Sequence, residues 1–126
     1  TVTSRELELD GSTLYVASPD NQQGGGVLKI DLATNLETMV TGCGRTYSLA
    51  LNAANHDLYV GAADGKVYKV VGDGTHTATW TLGTAVYGLD IRETTVWGIG
   101  ADSVVYEMPI GSAFVARRYG LMGPSF

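Results

Sequence analysis

The feature that most constrains this chain is that it repeats itself. Laid over itself, Leu7-Glu8-Leu9-Asp10 falls on Leu49-Ala50-Leu51-Asn52 and then on Leu89-Asp90-Ile91-Arg92. A second register keeps the same order, with Leu14-Tyr15-Val16-Ala17, Leu58-Tyr59-Val60-Gly61 and Val96-Trp97-Gly98-Ile99 following those segments. The segments 26–30, 65–70 and 103–108, each built round a valine and a Lys, Tyr or Glu alternation, come third. Self-similarity at such a spacing means that each repeat is one supersecondary unit, which buries its apolar faces against its neighbours.

The segments are short, rich in Val, Leu, Tyr and Thr, and bounded by turn formers, so strands are the natural reading. Asp10-Gly11, Asn55 to Asp57, Asp64-Gly65 and Asp73-Gly74 supply turns, because Gly accepts positive φ and Asx side chains bond their own backbone. No window keeps an apolar stripe at helical spacing. A fourth strand per repeat is expected in Leu36 to Thr41, in Thr77 to Leu82 and in Ala113 to Arg117. Four short strands in a repeat of roughly 40 residues is the blade pattern of a β-propeller. The expected fold class is therefore all-β: three four-stranded antiparallel blades, open or completed by a partner or by further blades. Blade 1 is placed at about 5–42, blade 2 at about 45–83 and blade 3 at about 86–120, with 121–126 a tail or the start of another blade. The inner strand of a blade is sandwiched between neighbours, which accounts for Leu49, Leu51, Leu89 and Ile91. Tyr47-Ser48-Leu49 recurs as Tyr87-Gly88-Leu89, and Tyr119-Gly120-Leu121 reads as the truncated entry strand of a fourth blade.

The run Gly44-Arg45-Thr46-Tyr47-Ser48-Leu49-Ala50-Leu51, followed by Leu58-Tyr59-Val60-Gly61 and by Asp64-Gly65-Lys66-Val67-Tyr68-Lys69-Val70, resembles the blades of YWTD, NHL and YVTN propellers. It is also similar to a blade of the strictosidine-synthase and gluconolactonase superfamily. The latter resemblance implies a metal-dependent hydrolase or lactonase with a calcium-like cation near the channel, for which Glu6, Asn52 and Asp90 are the oxygen-bearing candidates. The Asp that usually follows the Tyr-Val pair of YWTD-like blades is missing, since Ala17-Ser18, Gly61-Ala62 and Gly98-Ile99 stand there. No position carries an equivalent acid in all three repeats, so no cofactor is the primary expectation.

Other chemistry is sparse. The net charge of −5 offers no basic stripe for a phosphate backbone, so no nucleic-acid partner is expected. Apolar stretches are only strand-length, so no membrane insertion is expected either. The single cysteine, Cys43, excludes an internal disulfide and reads as a small semi-buried residue between two glycines. His56 reads as an exposed turn residue and His76 as a residue preceding an outer strand. Gly24-Gly25-Gly26 is followed by a strand where a phosphate loop would need a helix, so it reads as part of a long hairpin whose tip is Pro19 to Gln23.

Exposed rings are what remain for function. Tyr15, Tyr59 and Trp97 hold equivalent second-strand positions and are expected to pack. Tyr47, Tyr87 and Tyr119 precede inner strands, where a channel mouth would display them; with Arg45 beside Tyr47, they are the candidate ligand-binding residues. Three blades cannot close a ring, because closed propellers need about four or more. The chain is therefore expected to act with something else: as part of a longer propeller, by self-association through open blade edges, or as a fibre or particle subunit. The leading expectation is a non-catalytic recognition or scaffolding module that binds a protein partner, with a glycan or peptide as further ligand classes. Three lysines among fourteen threonines and seventeen glycines lean towards an extracellular or particle-surface setting.

Overall fold

Every strand of the repeat is matched by its neighbour in sequence, as local hairpins require. The computed structural model describes residues 6–18, 25–40, 43–71, 76–111 and 117–120. The first sheet contains β1 (Glu6–Asp10), β2 (Thr13–Ser18), β3 (Gly26–Asp31) and β4 (Leu36–Val40) in that spatial order. The second contains β5 (Thr46–Asn52), β6 (Asp57–Ala62), β7 (Lys66–Val70) and β8 (His76–Thr81), again in sequence order. The third contains β9 (Val86–Arg92), β10 (Thr95–Gly100), β11 (Val104–Pro109) and β12 (Arg117–Gly120). All pairings are antiparallel.

Turn chemistry explains the hairpins. Asp31, Asn52, Asn55, Asp64 and Asp102 each accept, through Oδ1, a backbone N–H two residues on, at 2.9–3.1 Å. In two blades the same aspartate does more. Tyr68 donates its hydroxyl to Asp64 Oδ2 at 2.5 Å, and Tyr106 donates to Asp102 Oδ2 at 2.6 Å, so an Asp-x-x-Val-Tyr segment clasps the β6–β7 and β10–β11 turns alike. Burial, with the charge of Asp64 adding to it, pushes the Tyr68 hydroxyl up to about 12.

The sheets stack as successive blades. The first strands approach one another, β1 against β5 and β5 against β9. Period-2 alternation lets the middle sheet present one face to each neighbour. Leu49, Leu58, Val60, Tyr68 and Val70 pack against Tyr15, Ala17, Val27 and Val40 of the first sheet. Ala50, Tyr59, Val67 and Trp80 pack the other way, against Val86, Val96, Tyr106 and Met108 of the third. Tyr15 and Tyr59 are buried as their repeat position predicts, and the Tyr59 and Trp80 rings lie 5.6 Å apart. Cys43 is buried in the first of these cores, more deeply than the semi-buried position expected.

Two expectations are corrected. The last strand is β12 at Arg117–Gly120, where the sequence pattern places it at Ala113 to Arg117, of which 113–116 lie outside the described residues. Tyr119 consequently sits in an outer strand opposite Val105 and is not the counterpart of Tyr47 and Tyr87. Its ring packs 6.4 Å from that of Trp97, and its hydroxyl donates to Glu107 Oε1 at 3.0 Å, which anchors it to the face of its own sheet. Tyr119 follows Tyr87 by less than a full repeat because it falls one strand earlier in the pattern. The further-blade segment 121–126 and the hairpin tip 19–23 lie outside the described residues. His76 is the first residue of β8, its ring 5.9 Å from that of Tyr68.

Close approach of blades 2 and 3 depends on one glycine. A Cβ at Gly61 would stand 2.1 Å from Ser48 Oγ and 2.7 Å from Val86 Cγ1. Gly61→Ala is therefore expected to lower unfolding stability by about 1–3 kcal/mol through overpacking. Urea denaturation measures this, and an unchanged midpoint would show that the two blades do not seat against each other there.

Candidate binding surface at the entrance of the inner strands

An inner strand that must both pair outward and lean on the next blade is prone to irregularity at its start. The register of β5 against β6 slips between Thr46 and Ser48, and that of β9 against β10 slips between Val86 and Gly88. Tyr47 and Tyr87 are the extra residues of these two β-bulges, a device that re-aims a side chain. The bulges are equivalent in adjacent blades and bring the rings together, with centroids 5.1 Å apart and planes at 77°. Such an edge-to-face pair matches the quadrupoles of the two rings. Tyr87 remains 47% exposed and Tyr47 is half-buried.

Arg45 lies exposed at the same end, two residues before Tyr47. Its backbone is fixed from two sides. Its carbonyl accepts from Ala63 N at 2.8 Å, and Gly25 (φ +95) lies so close that a Cβ there would stand 2.6 Å from Arg45 Cα. The glycine-rich segment thus serves backbone contact between the first blade and the entrance of the second. The strand entrance of blade 3 is latched in the same manner by Leu82 N to Gly65 O at 2.7 Å and Ala101 N to Ala85 O at 2.8 Å.

Beneath the tyrosines, polar side chains tie each blade to the next. Thr46 is fully buried; its Oγ1 accepts from Ser18 N at 3.0 Å, and its hydroxyl points to the carbonyls of Ser18 and Gly26. Ser48 Oγ donates to Val86 O at 3.0 Å. Glu6 Oε1 accepts from Leu49 N at 3.0 Å. At the far end of the blades, His56 Nδ1 meets Asp10 Oδ1 at 2.8 Å, so this turn histidine, at φ 65°, links the hairpins of blades 1 and 2. Sequence pattern alone singles out none of Glu8, Thr46, Ser48 or the His56–Asp10 pair. The one signal it carries is period-2 alternation of polar and apolar residues in the inner strands, Glu6-Leu7-Glu8-Leu9 and Thr46-Tyr47-Ser48-Leu49.

The calcium candidates do not form a donor set. Asn52 ends β5 and uses its Oδ1 on Ala54 N at 3.1 Å, Asp90 uses its Oδ1 on Ile91 N at 2.9 Å, and Glu6 is engaged with Leu49. Among the described residues, no group of three or more His, Cys, Asp or Glu side chains is placed to hold a metal ion. The three residues therefore do not fit a cation that needs several converging oxygens. Glu6, Glu8 and Asp90 do share the inner-strand side. Burial raises the Glu6 carboxyl above its ordinary value, the charges of Glu8 and Asp90 raise it further, and the Leu49 hydrogen bond only partly offsets this. Glu8 is raised by burial and by Asp90 in the same way.

No protein-family model matches the sequence, and no curated protein matches it. Solved structures do. The β-propeller domain of Cps50 (Swd1) from Myceliophteria thermophila superposes with a TM-score of 0.69 at 18% identity, over 94% of this chain and 39% of its own. The WD40 β-propeller domain of Doa1 gives 0.72 at 22% identity, over 88% of this chain and 39% of its own. The chain is a run of β-propeller blades. An auxiliary nutrient binding protein from Bacteroides thetaiotaomicron gives 0.74 at 10% identity, over 91% and 31% of the two chains. This partial propeller spans less than half the length of each of these proteins, and at such identities the likeness is one of fold.

The raised carboxyls and the buried thiol are both open to measurement. A carboxyl raised in the folded protein holds its proton more tightly there than in the unfolded chain, so stability is lost as pH rises from the ordinary value of 4.5. Glu6→Gln with Glu8→Gln removes both titrating groups, keeps an oxygen acceptor for the Leu49 N–H, and is expected to flatten the loss measured by urea midpoints between pH 4.5 and 7. An unchanged slope would place the raised groups elsewhere. Burial, with Asp64 adding to it, pushes the Cys43 thiol up to about 11. Ellman's reagent at pH 8 is therefore expected to titrate Cys43 only after unfolding; prompt reaction in the folded state would contradict the burial.

Proposed function

We propose that this chain is a non-catalytic recognition or scaffolding module of β-propeller blades, which binds a protein or peptide partner through the Tyr47–Tyr87 rim with Arg45 beside it. The observation that carries this reading is the pair of equivalent bulges, which set two tyrosines edge to face at one end of adjacent blades. Tyrosine offers a large contact area with only two rotatable side-chain angles, and tyrosine and arginine are enriched among residues that dominate binding energy. The rim is also held before any partner arrives, by the backbone latches at Arg45 and Ala85, which lowers the ordering cost of binding. The propeller neighbours include WD40 domains and a nutrient binding protein, and their fold is consistent with a binding role here, although fold alone never fixes activity. The blade motifs Leu58-Tyr59-Val60-Gly61 and Asp64 to Val70 favour the YWTD, NHL and YVTN type of repeat.

A peptide array and a glycan array probed with the labelled protein test the proposal. Peptide ligands are expected, with Tyr47→Ala or Tyr87→Ala each costing about 2 kcal/mol, roughly thirtyfold in affinity, while Tyr119→Ala leaves binding intact. Binding insensitive to both rim variants would place the surface elsewhere. Tight calcium uptake by calorimetry together with lactone hydrolysis would overturn the non-catalytic reading.

A further inference from the structure

Radical chemistry between side chains is decided by which rings already touch, and this protein holds two phenols together across a blade boundary. Tyr47 belongs to blade 2 and Tyr87 to blade 3, each the extra residue of a bulge at the start of its inner strand. With centroids 5.1 Å apart and planes at 77°, the edge of one ring lies in contact with the face of the other. The frame beneath them is fixed. Val86, beside Tyr87, and Ser48, beside Tyr47, are both fully buried, and Ser48 Oγ donates to the Val86 carbonyl at 3.0 Å. The two backbones are therefore tied at the positions that carry the rings, while Tyr87, 47% exposed, keeps room to turn about its side-chain bonds.

The other five tyrosines are placed differently. Tyr15, Tyr59, Tyr68 and Tyr106 are buried. The hydroxyls of Tyr68, Tyr106 and Tyr119 donate to Asp64, Asp102 and Glu107, and the rings of Tyr59 and Tyr119 pack on Trp80 and Trp97. Tyr119 is exposed without a second phenol against it, which makes it the internal comparison for chemistry that needs a collision between molecules.

We propose that Tyr47 and Tyr87 form an oxidative cross-linking site, where a peroxidase-type one-electron oxidant working with hydrogen peroxide couples the two phenols into one biphenol that bridges blades 2 and 3. Each ring gives up one electron and its phenolic proton and becomes a phenoxyl radical, whose unpaired spin rests partly on the carbons ortho to the oxygen. A carbon–carbon bond forms between one ortho carbon of each ring. Both of these carbons then pass their hydrogen to the phenolic oxygens as aromaticity returns. In sum two ring C–H bonds break and one C–C bond forms, and one hydrogen peroxide takes up two electrons and two protons and leaves as two waters. A radical on an isolated tyrosine must wait for another molecule. Here the second ring is already in place, so coupling within the chain outruns coupling between chains. The bridge closes a loop round the whole of blade 2, from β5 to β8, and removes conformational freedom from the unfolded chain. It needs no ligand on the tyrosine rim and holds whether or not the rim binds a partner.

Peroxidase with limiting hydrogen peroxide, added to the dilute folded chain, tests the site. A product with the mass of one chain less two hydrogens is expected, carrying the blue fluorescence of a biphenol. Trypsin is expected to release the peptides 46–66 and 70–92 joined to each other, and Tyr87 is the one tyrosine of the second. Fragmentation of the joined pair is expected to place the bond on Tyr47 in the first, which also contains Tyr59. Mapping the bond in the parent chain needs no variant to fold. Tyr47→Phe and Tyr87→Phe keep the ring and lose the phenol, so each is expected to retain the circular dichroism of the parent and to lose the one-chain fluorescent product, whereas Tyr119→Phe keeps it. The cross-linked chain, separated from the untreated one, is expected to unfold at a higher urea concentration. Fluorescence confined to products of two or more chains, a bond mapped to any other tyrosine, or a one-chain product that survives Tyr47→Phe would overturn the proposal. So would the absence of biphenol under conditions that couple free tyrosine.

Discussion

An inner blade strand has one backbone edge with no strand beside it, and the architecture of this protein follows from how that edge is satisfied. Unpaired backbone donors are costly when sheltered from water and are templates for aggregation when exposed. Here the edge of β5 is served by a side chain of the preceding blade, with Glu6 on the Leu49 N–H. Ser48 carries the same service forward to the Val86 carbonyl, and Thr46 reaches back to Ser18 and Gly26. Each blade therefore depends on a neighbour for polar closure as well as for apolar burial.

The same ties set the geometry of the tyrosine rim proposed for binding. Because Thr46 and Ser48 turn inward to hold neighbouring blades, the residue between them is forced out of register, and Tyr47 is lifted into a bulge. The third blade repeats this with Tyr87 between Val86 and Gly88. Structural demand in the strand entrance thus displays two rings at one end of the stack, while the opposite end is closed by Asx turns and the His56–Asp10 link.

Much of this is legible in the sequence. The spacing of the three repeats sets out blades, strand order and the burial of Leu49, Tyr15 and Tyr59, because period-2 patterning and a fixed repeat both reflect faces that must be covered. The pairing of Tyr47 with Tyr87 is accessible as recurrence, though their place inside a bulge is not, since a slip of a single position leaves no compositional trace. Tyr119 misleads because Tyr-Gly-Leu is a short string, and only its spacing separates an outer strand from an inner one. The interblade ties escape notice because Glu6, Thr46 and Ser48 look like the solvent-facing half of an alternating strand. Which polar face is wet and which is pressed against another blade depends on tertiary neighbours. For the same reason Asn52 and Asp90 look like ligands until their oxygens are found on backbone groups of their own turns and strands.

The most direct measurement of the central constraint is amide hydrogen exchange at Leu49. Its N–H lies on the edge of β5 away from β6, yet it is held by the Glu6 carboxylate of β1. Protection comparable to that of the amides in the β5–β6 ladder is expected, with Glu6→Ala releasing Leu49 while the ladder amides keep theirs. Exchange at this position as fast as at an open strand edge would contradict the view that side chains from one blade close the backbone of the next.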